Sequence, residues 1–140
     1  MIVFKSISTF RQSLQNLLNV KRNVYQGITE EILKEFNGKK IEEIRQNRDM
    51  ILIQDESVII KLRLPDKKQR LSKKDGYRLI YYVSKISELV IFLQVYPKNG
   101  PLQKLNITPN ELKSLLITLI EESNSQSLQD YDFSPSSQPS

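Results

Sequence analysis

The chain contains neither cysteine nor histidine. The first absence excludes disulfides, thiolate metal sites and a cysteine nucleophile. The second removes the usual acid–base group of neutral pH and the commonest zinc ligand. Any chemistry must therefore be carried by Lys, Arg, Tyr, Asp, Glu or Ser, and neither a metal nor a small-molecule cofactor is expected. Long hydrophobic runs are also missing. The longest, Leu89 to Leu93, is a quarter of the roughly 20 residues a bilayer span requires. Met1-Ile2-Val3-Phe4 is closed at once by Lys5, which is too short for the apolar core of a signal peptide. The expectation is a cytoplasmic protein with no membrane partner.

What is abundant is positive charge, and it is concentrated. The formal net charge is +5 over 140 residues. Residues 123–140 contribute Asp130 and Asp132 and no cation, so the remainder carries +7. Eight cations fall between Lys61 and Arg78 (Lys61, Arg63, Lys67, Lys68, Arg70, Lys73, Lys74 and Arg78) against only Asp66 and Asp75. A focus of this kind attracts polyanions, nucleic acid above all. Composition alone allows equally that it is a solvated basic loop.

The length suits one domain, which at this size buries about two-thirds of its unfolded surface. Ile2 to Lys5 reads as a short strand. Thr9 with Gln12 suggests a capping box opening a helix whose stripe is Phe10, Leu14, Leu17 and Leu18. A second helix is predicted from Thr29, with Glu30 and Glu31 in its first turn and Asn37-Gly38 at its end. Ile41 and Ile44 suggest one further turn. Met50–Gln54, Ser57–Leu64, Tyr77–Ser84 and Leu89–Tyr96 have strand composition, with Asp55-Glu56 as the first turn. Thr108 caps a last helix, Pro109 takes its first position and Glu111 completes the box. From Ser123 onward the Ser/Gln/Pro-rich composition predicts a disordered tail, with a domain over residues 1–122. The predicted class is α+β: an N-terminal strand and helical hairpin packed on one face of an antiparallel sheet, then a C-terminal helix.

Alternation decides which side chains share a face of the sheet. Val58, Ile60, Leu62 and Leu64 point one way, and Ile59, Lys61 and Arg63 the other. In the next strand Arg78, Ile80 and Tyr82 form one set. If these strands pair, Lys61, Arg63 and Arg78 gather on the face the helices leave open, beside a tyrosine. Such a cluster suits a phosphodiester; it equally suits a sheet edge protected from aggregation by charge.

These segments resemble the RelE/HigB-type toxins of the RelE/ParE superfamily. Val58-Ile59-Ile60-Lys61-Leu62-Arg63-Leu64, the basic loop, and Asp75-Gly76-Tyr77-Arg78-Leu79-Ile80-Tyr81-Tyr82-Val83 look like that family's central hairpin. Val90 to Asn99, ending Tyr96-Pro97-Lys98-Asn99, is similar to its next strand and "Y-x-K-[SN]" signature. Thr108 to Leu112 is similar to the start of its last helix. The resemblance covers residues 57–116. It implies a RelE-like fold and the toxin of a type II toxin–antitoxin system. It further implies metal-independent cleavage of mRNA, free or on the ribosome, and silencing by a protein antitoxin.

Carried over by position, the implied catalytic residues are Lys61, Arg63, Arg78 and Lys98, with Tyr82 as a hydrogen-bond donor or stacking partner. Tyr82 also fits a purely structural place in the sheet. Lys61 is the expected proton-transfer residue, because neighbouring cations lower a lysine pKa. Lys67, Lys68, Arg70, Lys73 and Lys74 are expected to position RNA. Two departures bear on activity. The family's paired glycines are here Asp75-Gly76, and Lys98 is followed by Asn99-Gly100-Pro101 where the family carries an acidic residue. The alternatives are a ParE-like gyrase inhibitor, or a nucleic-acid- or protein-binding module that keeps the fold without the chemistry.

Overall fold

The computed structural model describes residues 1–46, 50–54 (backbone only) and 56–133. Along the chain these form β1 (Val3–Ser6), α1 (Ser8–Leu18), α2 (Ile28–Phe36) and α3 (Ile41–Arg45). There follow β2 (Met50–Gln54), β3 (Ser57–Leu64), β4 (Tyr77–Ser84), β5 (Leu89–Pro97), α4 (Pro109–Asn124) and β6 (Gln129–Asp130). The strands make one sheet in the order β2-β3-β4-β5-β1-β6. Among the described residues no helix is long and apolar enough to cross a membrane.

The class is α+β, but the sheet is mixed rather than antiparallel. The meander β2 to β5 is antiparallel throughout. β1, however, runs parallel to β5, with Phe4 opposite Val90 and Ser6 opposite Phe92. Only helices separate β1 from the meander in sequence, so no hairpin turn obliges it to run antiparallel.

The placement of the helices also departs from the expectation of one covered face. Tyr81 and Phe92 stand on the face that receives Phe36 of α2, at ring separations of 5.3 Å each. Phe10 of α1 joins them, 5.2 Å from Phe92. On the opposite face Ile59 and Tyr82 meet Leu116, Leu119 and Ile120 of α4, and Ile91 lies beside Leu119 as well. Leu89 to Leu93 is apolar without alternation, the pattern of a strand buried on both sides. A cover on the second face is the consequence.

α1 begins one residue before the predicted Thr9 cap, and no side chain of its own caps it. The cap comes from α4. Glu122 accepts the Ser8 N–H at 3.0 Å and the Ser8 hydroxyl, and its carboxylate lies 3.8 Å from the Arg11 guanidinium. An acidic group at an N-terminus satisfies orphan donors and complements the helix dipole. α4 itself starts as predicted, with Thr108 and Glu111 closing a reciprocal box and Pro109 in the first turn.

The tail expected from Ser123 is corrected for residues 123–133. Gln129 and Asp130 pair with Ser6 and Lys5 of β1. Tyr131 and Phe133 then enter the aromatic cluster, 4.9 Å from Phe92 and 4.7 Å from Phe4 respectively. Two aromatic rings, spaced to the same side of an extended strand, outweigh the polar composition around them. Asp130 meets Lys5 at 3.1 Å, at the edge of the sheet away from β3 and the basic loop. The rest of the tail, 134–140, and Asp55 of the predicted first turn lie outside the described residues.

Truncation after Ser127 should therefore lower the melting temperature by about 10 °C, from loss of two largely buried aromatics worth ~3 kcal/mol in sum. Differential scanning calorimetry of the truncated and full chains checks this. An unchanged transition would mean that the segment contributes nothing to stability.

Candidate nucleic-acid interface

β3 and β4 pair in a register that places Lys61 opposite Ile80 and Arg63 opposite Arg78. β5 adds Tyr96 opposite Arg78. One face of the sheet thus has two ends. At one end Ile59, Tyr82 and Ile91 are roofed by α4. At the other Lys61, Arg63, Arg78 and Lys98 collect outside that roof.

Lys98 lies within reach of the other three charges. The Lys98 pKa is lowered, first by partial burial and then by the charges of Arg78, Lys61 and Arg63, with Asp75 opposing. Lys98 is anchored at both ends. Its N–H donates to the Gly76 carbonyl at 2.8 Å, and its ammonium donates to the Leu105 carbonyl. Lys61 donates to the Asn106 side chain at 3.2 Å, and Arg63 is exposed. A lowered pKa, the property expected of a proton-transfer lysine, is found on Lys98.

Arg78 is placed differently from a free phosphate clamp. It is only 6% exposed. Its guanidinium donates to the carbonyls of Lys73 (2.9 Å), Lys74 (2.8 Å) and Tyr77 (3.1 Å). Arg78 therefore holds the end of the basic loop while lending its charge to Lys98. Tyr82 is not brought to the cluster. Its hydroxyl meets Ser57 at 2.9 Å and its ring lies under α4, the structural role the sequence also allowed.

The basic loop is bound to the body by buried carboxylates. Asp66, 1% exposed, accepts from the Gln69 N–H and side chain and bridges to Leu71. Glu31 of α2, 5% exposed, accepts the Lys67 N–H at 2.9 Å. Lys67, Lys68, Arg70, Lys73 and Lys74 all remain exposed. Gly76 closes the loop against β3. A Cβ there would lie 2.2 Å from the Leu64 carbonyl oxygen, so glycine is sterically required at this position.

Three contributors escaped the sequence. Tyr25, fully buried, donates to the Asn99 carbonyl at 2.7 Å and accepts the Leu102 N–H at 3.1 Å. Asn106 holds Lys61. Tyr96 is 4% exposed, and its hydroxyl has no partner in sound hydrogen-bond geometry among the described residues. Burial raises its pKa, opposed by the Arg78 charge and the nearby Ile107 N–H. Tyr96 opens the Tyr96-Pro97-Lys98-Asn99 motif, and its alternation was readable. Tyr25 and Asn106 carried no pattern.

No protein-family model matches the chain, and no curated protein matches it.

Because a single ammonium cannot fork across two carbonyls as a guanidinium does, Arg78→Lys should release the loop while keeping the charge. Trypsin, for which the loop is a ready substrate, should then cut between Lys67 and Lys74 about tenfold faster. An unchanged rate would show that Arg78 does not restrain the loop.

Proposed function

We propose that this chain is a RelE/HigB-type toxin, a metal-independent endoribonuclease acting on mRNA and silenced by a protein antitoxin. The observation that carries the reading is the gathering of Lys61, Arg63, Arg78 and Lys98 at one end of a sheet face, beyond the seat of α4, with the Lys98 pKa lowered there. The ordered segments that resemble the family are the ones that build this cluster.

The chemistry follows from the side chains available. The 2′-oxygen of the substrate attacks the adjacent phosphorus as the bond to the 5′-oxygen breaks, leaving a 2′,3′-cyclic phosphate and a 5′-hydroxyl. One proton leaves the 2′-hydroxyl, and solvent water supplies one to the departing 5′-oxygen. Lys98 is the proton acceptor in this scheme, since a lysine with a lowered pKa holds more of its neutral form near neutrality. Arginine cannot take that part. Arg63 and Lys61 neutralise charge gathering on the phosphorane, where losing one donor costs about 10²–10³ in rate. Arg78 fixes the loop whose exposed cations hold the flanking phosphates.

A second reading, a binding module without chemistry, draws support from one observation. The Arg78 guanidinium is turned onto its own loop carbonyls. Incubation of the purified chain with messenger RNA, alone and in a translating extract, separates the two. Cleavage products ending in cyclic phosphate are expected, and Lys98→Ala should reduce the rate by about 10²–10³. Binding without cleavage under both conditions would favour the module.

The pH profile adds a sign. A base must be deprotonated to act, so the rate should rise with pH. The lowered Lys98 pKa places the midpoint below the ordinary lysine value of about 10.4. A rise centred at or above that value would remove Lys98 from the base role. Neutralising Lys67, Lys68 and Arg70 together should weaken RNA binding and flatten its salt dependence, by about 0.7 in log–log slope for each phosphate no longer engaged. An unaltered slope would mean that these cations do not touch the nucleic acid.

A further inference from the structure

The cleavage scheme uses Lys98 but does not say what holds it. Lys98 starts a loop that leaves β5 and returns to α4. The loop is closed by the Lys104 N–H on the Pro97 carbonyl at 2.9 Å and by the Gln103 N–H on the Gly100 carbonyl at 3.0 Å. The Leu105 carbonyl that receives the lysine ammonium is at its far end. One buried hydroxyl stands inside this loop. Tyr25 comes from the connection between α1 and α2, distant in sequence, and reaches both the Asn99 carbonyl and the Leu102 N–H.

The fit around that hydroxyl is close. Gly100 has φ +91°, and a Cβ there would lie 2.5 Å from the Tyr25 oxygen. The backbone thus passes over the phenol where only glycine allows it. On the side away from the loop the Tyr25 ring packs edge-on against Tyr77 at 6.1 Å. Tyr77 is itself fully buried, at the start of β4 where the basic loop ends. The Asn99 side chain ties the two loops directly, donating to the Asp75 carbonyl at 2.7 Å. Removing the hydroxyl would leave a carbonyl and an N–H without their buried partner, which the loop can repair only by moving.

We propose that Tyr25 is a positioning residue for Lys98: its hydroxyl fixes the loop of residues 98–105 so that the lysine ammonium is held against the Leu105 carbonyl beside the cations of β3 and β4. Its kinetic consequence rests on the proposed cleavage, whereas its effect on Lys98 does not. The charged groups facing Lys98 are Lys61 and Arg63 from β3, Arg78 from β4 and Asp75 from the basic loop. A change at Tyr25 removes none of these charges. What changes is the enclosure of the lysine, the largest influence on its titration.

The test is Tyr25→Phe in the full chain, read by the titration of the Lys98 amine in a protein carrying 13Cε-labelled lysine and assigned with Lys98→Arg. The wild-type amine should titrate below the ordinary lysine range. In Tyr25→Phe its midpoint should move back up by half a unit or more, with faster amide exchange at Asn99 and Leu102. Where cleavage is measured, kcat should fall about tenfold with KM little changed, and the pH profile should follow the amine titration.

Gly100→Ala guards against a folding failure of the first variant. It disturbs the same contact from the exposed loop and should move the amine in the same direction. A Lys98 titration identical in the wild type and both variants overturns the proposal, whatever RNA does. A titration that moves in a protein that cuts no RNA sustains the positioning role and sinks the cleavage reading instead.

Discussion

A segment with five exposed cations and one buried carboxylate between Asp66 and Lys74 repels itself, and left alone it would spread into solvent. Here it is held by groups that do not bind its cationic heads. Arg78 takes two of its carbonyls. Glu31 takes the Lys67 N–H. Asp66 turns the chain from within. The restraint acts on the backbone, so the side-chain charges stay outward and available. Every property proposed for this surface depends on that division, because a mobile cationic loop would bind phosphate with a large ordering cost.

The same division appears in the sheet. Ile59, Tyr82 and Ile91 give α4 an apolar seat, and two residues further along β3 the face turns cationic. The helix stops the apolar end from being exposed and sets a wall beside the charged end. Burial near that wall, together with three neighbouring cations, lowers the Lys98 pKa. Packing and electrostatics are therefore parts of one arrangement, and weakening α4 would be felt at Lys98 through the Leu105 carbonyl that precedes the helix.

Much of this was legible in the residues. The strands β3 and β4 begin and end as their alternation indicates, and the cap of α4 lies at Thr108 with its partner Glu111. Lys61, Arg63 and Arg78 share a face because period-2 geometry leaves no choice. What could not be read was decided at long range. The N–H of Ser8 is satisfied by a residue of the last helix, and the capping box expected at Thr9 does not form. Tyr131 and Phe133 sit in a segment polar enough to look unstructured, and the aromatic cluster of Phe4, Phe10, Phe36 and Phe92 beside them explains their order. Nothing around Tyr25 signals its bond to Asn99, because two turns of unrelated periodicity meet there. Of the site, the charges were visible and their scaffolding was not.

The sandwiching of β1 between β5 and β6 sets an order of events during synthesis. β1 is made before both of its partners, one of which is complete only at Pro97 and the other only at Asp130. The Glu122 carboxylate that caps α1 likewise emerges late. At roughly 5–20 residues per second the N-terminal strand spends several seconds without a partner. Its sequence suits that wait: four residues with a central lysine are a poor template for wrong pairing. β1 is thus enclosed on both edges only after β6 has been made.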